Sequence, residues 1–334
     1  MSTTQTASAS ATAERLPDRW RDPGRWRDRL TQSALAIGLL LLVAYYALNA
    51  PAFLDTGNLR NILVQAAIPV VVAVPLGLLV LAGHFDLSVG SGLAVAAVVA
   101  GLAMQEWGLS LLGGLVVAIA VGLVIGAVNG VLCAVVGLSS LIVTLGGLAG
   151  YRGLAQVISP DPVYGFSESV VAYGNGAFLG VPYLVITAGA VIALGWWVLE
   201  VTSLGKHIRA VGVSPEAAYL SGVRTKRIVF GLFAATGALV GVAAMMSVAR
   251  LDSAPATTIG SHLELDVLTA VLLGGIMFGT GYGKISGVVL GVLFLTVLQN
   301  GLTLMNVPPA WAVTAKGVVL VAAAGLQWMS SRKK

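Results

Sequence analysis

Between residues 82 and 91 the chain reads AGHFDLSVGS. His84, Asp86 and Ser88 bring an imidazole, a carboxylate and a hydroxyl into five positions, while 62–82 and 89–104 hold no charged residue. Metal binding is disfavoured, because His84 has no partner at a ligand spacing and the chain holds three histidines and one cysteine. A structural role is available if a helix begins at Leu87. Asp86 then accepts from the free first-turn N–H groups of Ser88 and Val89, its charge suits the positive helix end, and Gly83 lets the backbone turn. A role in solute passage or gating is also open, since a charge kept inside a membrane costs about 2.5–3.5 kcal/mol on insertion scales and marks function by default.

A second acidic cluster echoes the first. Residues 263–267, LELDV, resemble 85–89, FDLSV, and NGLT at 300–303 resembles NGVL at 129–132. The offsets nearly agree, as an internal repeat requires. Inverted repeats with interrupted helices at matching places mark transporters, and the interruptions point to the substrate path. Glu264 and Asp266 are expected near the outer mouth, docking an external protein or capping a helix.

The elements that must position these residues follow from composition. Of 334 residues 57% are hydrophobic and 10% charged, with 42 glycines; mean hydropathy is +0.92. Soluble domains carry about 25% charged residues. The chain is therefore expected to be an all-α polytopic membrane protein. At about 20 apolar residues per crossing, about ten spans are expected: 33–50, 62–82, 87–104, 109–135, 138–158, 181–201, 227–249, 264–278, 285–305 and 312–330. Spans 2–5 and 7–10 would form the two inverted bundles. Residues 1–32 are expected to be a disordered, basic tail, with Trp20 and Trp26 at the headgroups, and 331–334 a short basic tail. Cys133 lies in an apolar run, so no disulfide framework is expected.

Basic residues orient the spans. Six arginines precede the first, Lys206, Arg209, Arg224, Lys226 and Arg227 follow the sixth, Lys284 the eighth, and Arg332, Lys333 and Lys334 the tenth. With both termini cytoplasmic, all of these lie inside. The loop 159–180 carries Asp161 and Glu168 and no Lys or Arg, and is expected outside.

The loop 202–226 is the most informative soluble piece. Ser214 can cap a helix, Pro215 suits its first position, Glu216 its positive first turn, and Gly222 its end, so a short helix over 215–221 is expected. Gly122, Gly126 and Gly130, like Gly237/Gly241 and Gly287/Gly291, repeat every four residues, which smooths a helix face for close packing. A polar but uncharged set, Asn129, Ser139, Ser140, Thr144, Gln299, Asn300 and Thr314, should face the bundle interior or a wet path. These uncharged hydroxyl and amide groups suit a sugar better than an ion, and His84, Asp86 and Ser88 are further candidates for the path or its gate.

GHFDLSVGSGLAVAA at 83–97 resembles the signature of permease subunits from ribose-type ABC importers, within the branched-chain amino acid/ribose permease superfamily. Three further blocks, 126–155, 202–223 and 260–292, resemble that family in order. His84 and Phe85 depart from its usual Gly and Ile, and Thr280 and Tyr282 make the late glycine block irregular. The resemblance implies a bacterial plasma-membrane permease moving a monosaccharide or similar solute inward by alternating access. It implies a second permease copy or paralogue, an external substrate-binding protein and separate ATPases, besides membrane lipid; nucleic acid is not expected. It makes the 202–226 loop the coupling element, with Lys206, Arg209, Gly212, Ser214, Pro215, Glu216, Ala217, Ala218 and Arg224 docking on the ATPase. This chain is expected to be no enzyme and to bind no cofactor, ATP and Mg being used by the partner. Its nearest approach to a P-loop, GTGYGKIS at 279–286, has Phe278 where the first glycine belongs and Ile285 after Lys284. A secondary transporter working alone, or an amino-acid permease, are the alternatives; a membrane enzyme would need a catalytic constellation that the sequence does not offer.

Overall fold

The computed structural model describes residues 23–331. Residues 1–22, with Trp20, and Arg332, Lys333 and Lys334 lie outside the described residues, as does the side chain of Trp26. Helix α1 spans Pro23–Asn49, with Pro23 at the position where a missing N–H costs nothing. It therefore starts inside the stretch assigned to the tail.

The helices follow the apolar runs. They are α2 (Thr56–Leu81), α3 (Val89–Trp107), α4 (Leu111–Gly130), α5 (Ser140–Ile158) and a short α6 (Glu168–Asn175), then α7 (Tyr183–Trp196), α8 (Ser203–Val213), α9 (Pro215–Leu220), α10 (Thr225–Leu251), α11 (Leu263–Leu273), α12 (Ile285–Leu304) and α13 (Pro309–Ser331). A π-helical stretch extends α4 over Val131–Val136, and another extends α7 over Trp197–Val201. Among the described residues seven helices are long and apolar enough to cross a membrane: α2, α3, extended α4, α5, extended α7, α10 and α12. The apolar parts of α1 and α13, Ser33–Asn49 and Pro309–Ala322, are shorter.

The span expected at 264–278 is not one crossing helix. With 11 residues, α11 is about 16 Å long, half of a hydrocarbon core of about 30 Å. After it Gly275, Gly279, Gly281 and Gly283 take positive φ, a region side chains avoid, and hold 274–284 in irregular turns. The 159–182 segment also carries structure unseen in the sequence. Strand β1 (Val163–Tyr164) pairs antiparallel with β4 (Ser253–Ala254), and β2 (Ala177–Phe178) forms a hairpin with β3 (Val181–Pro182).

Two bundles are related by their packing. Helix α3 lies against α4, α5 and α10, and α11 lies against α12, α13 and α2. Likewise α4 packs on α10 as α12 packs on α2. This is the contact pattern of a repeat, with α2 and α10 as the exchanged central pair.

The glycine spacings act within the chain. A Cβ on Gly122 or Gly126 would strike the carbonyl oxygens of Gly237 or Phe233, and one on Gly241 that of Ala118, so α4 and α10 meet backbone to backbone. Gly287 and Gly291 do the same against Gly274 and Ala270. Overpacking such a contact costs about 1–3 kcal/mol. Gly237→Leu should therefore lower the unfolding midpoint of the detergent-solubilised chain by several degrees. Gly146→Leu, at a glycine whose Cβ would meet nothing within 4 Å, should leave it nearly unchanged.

Candidate functional site

Helix α2 stops where the backbone N–H groups of Gly83 and His84 return to the carbonyls of Val80 (3.0 Å) and Leu79 (3.1 Å), with Gly83 at φ +84°. The chain then runs into the bundle rather than along its face. Phe85 N–H donates to Ser140 Oγ (3.2 Å) at the start of α5. Three residues on, Ser88 lies against Gly147, seven residues and about 10 Å further along α5. Asp86 and Ser88 are thus inside the bundle.

The Asp86 carboxylate is 3% exposed, and its Oδ1 accepts from Ser88 N–H (2.9 Å) and Ser88 Oγ–H (2.6 Å). Asn129 Nδ2 donates to Ser88 Oγ (2.9 Å) and reaches Asp86 Oδ2 at 3.5 Å, and Asn129 Oδ1 accepts from the Tyr151 hydroxyl (2.9 Å). Ser91 Oγ donates to Ser88 O (3.0 Å), and buried Thr144 donates to Ser140 O (2.7 Å). A buried polar network tolerates few unmet groups; here each member holds another and together they fix the start of α3. The void beside Asp86 measures about 10 Å3, room for at most one water. Asp86 therefore lines no open path in this conformation.

Of the polar residues grouped on the sequence, the structure brings together His84, Asp86, Ser88, Asn129, Ser140 and Thr144. His84 sits edge-on to Phe233 at 6.0 Å. Ser139 stays exposed before α5. Asn300 is elsewhere, exchanging amide hydrogen bonds with Asn58 at 3.0 and 2.9 Å between α12 and the start of α2.

The second acidic cluster also enters the bundle. From Ala254, packed beside Gly101, to Gly260, packed beside Gly90, the chain runs back along α3 for eleven helical residues, about 16 Å. Glu264 is consequently buried within the chain. A Cβ on Gly90 would strike its carboxylate, and Glu264 Oε2 has no hydrogen-bond partner among the described residues. Asp266 accepts from Lys316 Nζ on α13 at 2.6 Å. This pair lines a polar cavity of about 340 Å3 with Gln65, Arg250, Thr296 and Gln299.

Where the two interrupted helices meet, one residue that the sequence reading passed over holds them. Arg152 Nη1 donates to Ala256 O (2.9 Å) and Ile259 O (2.7 Å), and Nη2 reaches Gly90 O at 3.4 Å. Helix breaks inside an apolar bundle release backbone carbonyls that water cannot reach. The guanidinium fork of one α5 side chain satisfies two carbonyls ahead of α11 and touches the first turn of α3, so it ties the two breaks together. The available signal was a lone arginine within the apolar run 138–158.

The basic loop folds as α8 and α9. Ser214 Oγ accepts from Ala217 N–H (3.2 Å), Pro215 opens α9, and Gly222 ends it at φ +85°, as expected. Helix α8 was not expected. Arg209 points inward, not to a partner. Its Nη1 donates to Gly281 O (3.0 Å) and Gly283 O (3.1 Å), and its Nη2 pairs with Glu200 (2.8 Å). Gly212 packs on the carbonyl of Leu81 at the end of α2, and Ala218 is buried. Facing outward are Lys206, Pro215, Glu216, Ala217 and Arg224, with Tyr219 and Leu220, apolar residues 69% and 85% exposed. From α8 contacts continue into the core: Gly83 touches Gly279, and Phe85 stacks on Phe278 at 4.4 Å and 6°. No cluster of metal-ligating side chains occurs among the described residues.

Residues 58–324 match the model of the family described as branched-chain amino acid transport system / permease component. The chain is 36% identical over 303 residues to the ribose import permease protein RbsC of Escherichia coli K12, covering 88% of this chain and 92% of that one. It is 30% identical over 326 residues to the galactose/methyl galactoside import permease protein MglC of Haemophilus influenzae, covering 92% and 97%. Over 291 residues it is 33% identical to the ribose import permease of Bacillus subtilis 168, covering 86% and 89%.

Replacing Arg152 tests the junction. Arg152→Met leaves the Ala256 and Ile259 carbonyls without this donor, at about 1–3 kcal/mol for an unmet buried group. Arg152→Lys supplies a point charge without the fork. Thermal unfolding in detergent should rank wild type above Lys above Met; an unchanged Met variant would mean that the junction is held otherwise.

Proposed function

The chain belongs to the family of branched-chain amino acid transport system permease components, and on that premise we propose that it is the membrane-spanning subunit of a sugar importer powered by separate ATPases. The observation that carries the coupling is the continuous contact path from the α8–α9 surface to the interrupted helix at Asp86. Relatives along nearly the whole chain bear the names of ribose and galactose import permeases, which supports a monosaccharide as cargo. The hydroxyl and amide groups of Ser140, Thr144 and Asn129 near the break suit the same solute.

In this reading Tyr219, Leu220, Lys206 and Glu216 present the docking surface, and an ATPase closing on nucleotide pushes α9 and α8 together. Arg209 grips the carbonyls before α12, and Gly212 abuts the end of α2, so both elements move with α8. The Phe85–Phe278 stack passes that motion to 82–88, where the path is closed at rest. Alternating access is then a rigid-body shift of one element set against the α4–α10 frame. The basic face with α8–α9 lies in the cytoplasm, with both termini, and the chain resides in a bacterial plasma membrane. A second permease copy, a substrate-binding protein on the opposite face and the ATPases complete the assembly, and the chain itself binds no cofactor. A carrier working alone would have no use for an exposed apolar knob on a basic cytoplasmic loop.

Two outcomes check this. Tyr219→Asp with Leu220→Asp should strip the ATPase from the purified complex and abolish labelled-sugar uptake, while the isolated chain keeps its unfolding midpoint. Uptake at the wild-type rate would refute docking through α9. Asp86→Asn keeps an acceptor for Ser88 and should retain most uptake, whereas Asp86→Ala should lose it; loss in both at normal membrane levels would instead give the carboxylate charge itself a role in gating.

A further inference from the structure

A second large cavity lies outside the site described above. It has a volume of about 570 Å3 and runs between α2, α7, α8 and α10. Its walls are apolar, with Val74, Leu78 and Leu239 among them, and its mouth carries His207, Arg224 and Arg227. From Arg227 to Leu239 is twelve residues of α10, about 18 Å, close to the depth of one leaflet of the hydrocarbon core, about 15 Å. The groove is therefore basic at the level of α8–α9 and apolar for the length of an acyl chain beneath it.

The mouth cations are uncommitted. Arg209 takes Glu200, whereas neither Arg224 nor Arg227 makes an ion pair or side-chain hydrogen bond among the described residues. Water does not fill a deep apolar groove at membrane depth, and hydrocarbon does. Basic pockets between membrane helices on the cytoplasmic side select anionic headgroups.

We propose that this groove is a binding site for an anionic phospholipid of the inner leaflet, its acyl chain along α10 and its phosphate on Arg224 and Arg227. The proposal uses the membrane placement given above and is independent of the solute carried. Its consequence is a regulatory contact, because the headgroup sits on the residues that join α9 to α10. A lipid seated there braces the coupling loop against the bundle.

Gly231 allows a clean test. It lines the groove, lies in mid-helix, and a Cβ added to it would meet nothing within 4 Å. Gly231→Phe should fill the groove without disturbing the fold; Ala235→Leu, on the same exposed helix face, serves if the first variant does not fold. The purified full chain in mild detergent is mixed with dioleoyl phosphatidylglycerol or dioleoyl phosphatidylcholine, and retained lipid is counted by native mass spectrometry. Wild type should hold one phosphatidylglycerol with a preference of about five-fold or more over phosphatidylcholine. Arg224→Gln with Arg227→Gln should remove the preference, and Gly231→Phe should remove retention of both lipids. Equal retention of the two lipids by wild type, or undiminished phosphatidylglycerol in the filled groove, would overturn the proposal. Should Gly231→Phe leave lipid retention intact and instead prevent ATPase co-purification, the groove is a protein-docking surface and the lipid site is rejected, with the importer reading untouched.

Discussion

A helix that breaks inside an apolar bundle releases carbonyls and N–H groups where no water can serve them, and every one must find a partner in the protein. This chain breaks two helices at one level. Arg152 on α5 holds the carbonyls of Ala256 and Ile259 and reaches Gly90 at the start of α3. Asp86, Ser88 and Asn129 serve the N–H and hydroxyl groups on the other side of the same break. The glycines at 90 and 260 let the two backbones touch there. With these contacts in place the rest of the fold is conventional helix packing.

That packing divides into a stiff part and a part built of loops. Helices α4 and α10 meet through glycines with no side chain between them, so neither can slide without losing contact along its length. The segments 82–88 and 274–284 lie instead between α8 and the core, joined by one aromatic stack and by hydrogen bonds from Arg209. The exposed α9 knob adjoins α8, which holds those loop segments, and the acidic network lies where they end.

Helix positions were legible because apolar runs interrupted by Gly and polar pairs leave little choice, and the Ser214–Pro215–Glu216 start of α9 was legible because capping chemistry is local. Depth was not. Counting crossings assigns each loop to a face, and it placed the Glu264 cluster near a mouth, although Glu264 is buried against Gly90. Arg209 looked like a docking charge because its acceptors, the carbonyls of Gly281 and Gly283, belong to a loop seventy residues away whose approach is tertiary. Helix α8 did leave a trace, in the apolar spacing Leu204, Ile208 and Val211. Arg152 was hidden by the strength of the apolar signal around it.

The eleven residues of α11 bear on how the protein is made. A segment about half the thickness of the hydrocarbon core is too short to be inserted as a crossing by its own hydrophobicity. It also begins with Glu264 and Asp266, which oppose entry into lipid. The groups that receive it, Gly90 and Arg152 on one side and Lys316 on the other, are synthesised before and after it. The ribosome thus delivers α11 before Lys316 exists, and the Asp266–Lys316 pair can form only once α13 has been made. Assembly of this half is ordered from both ends of the sequence, and a chain cut short before α13 carries an acidic half-helix with no place to go.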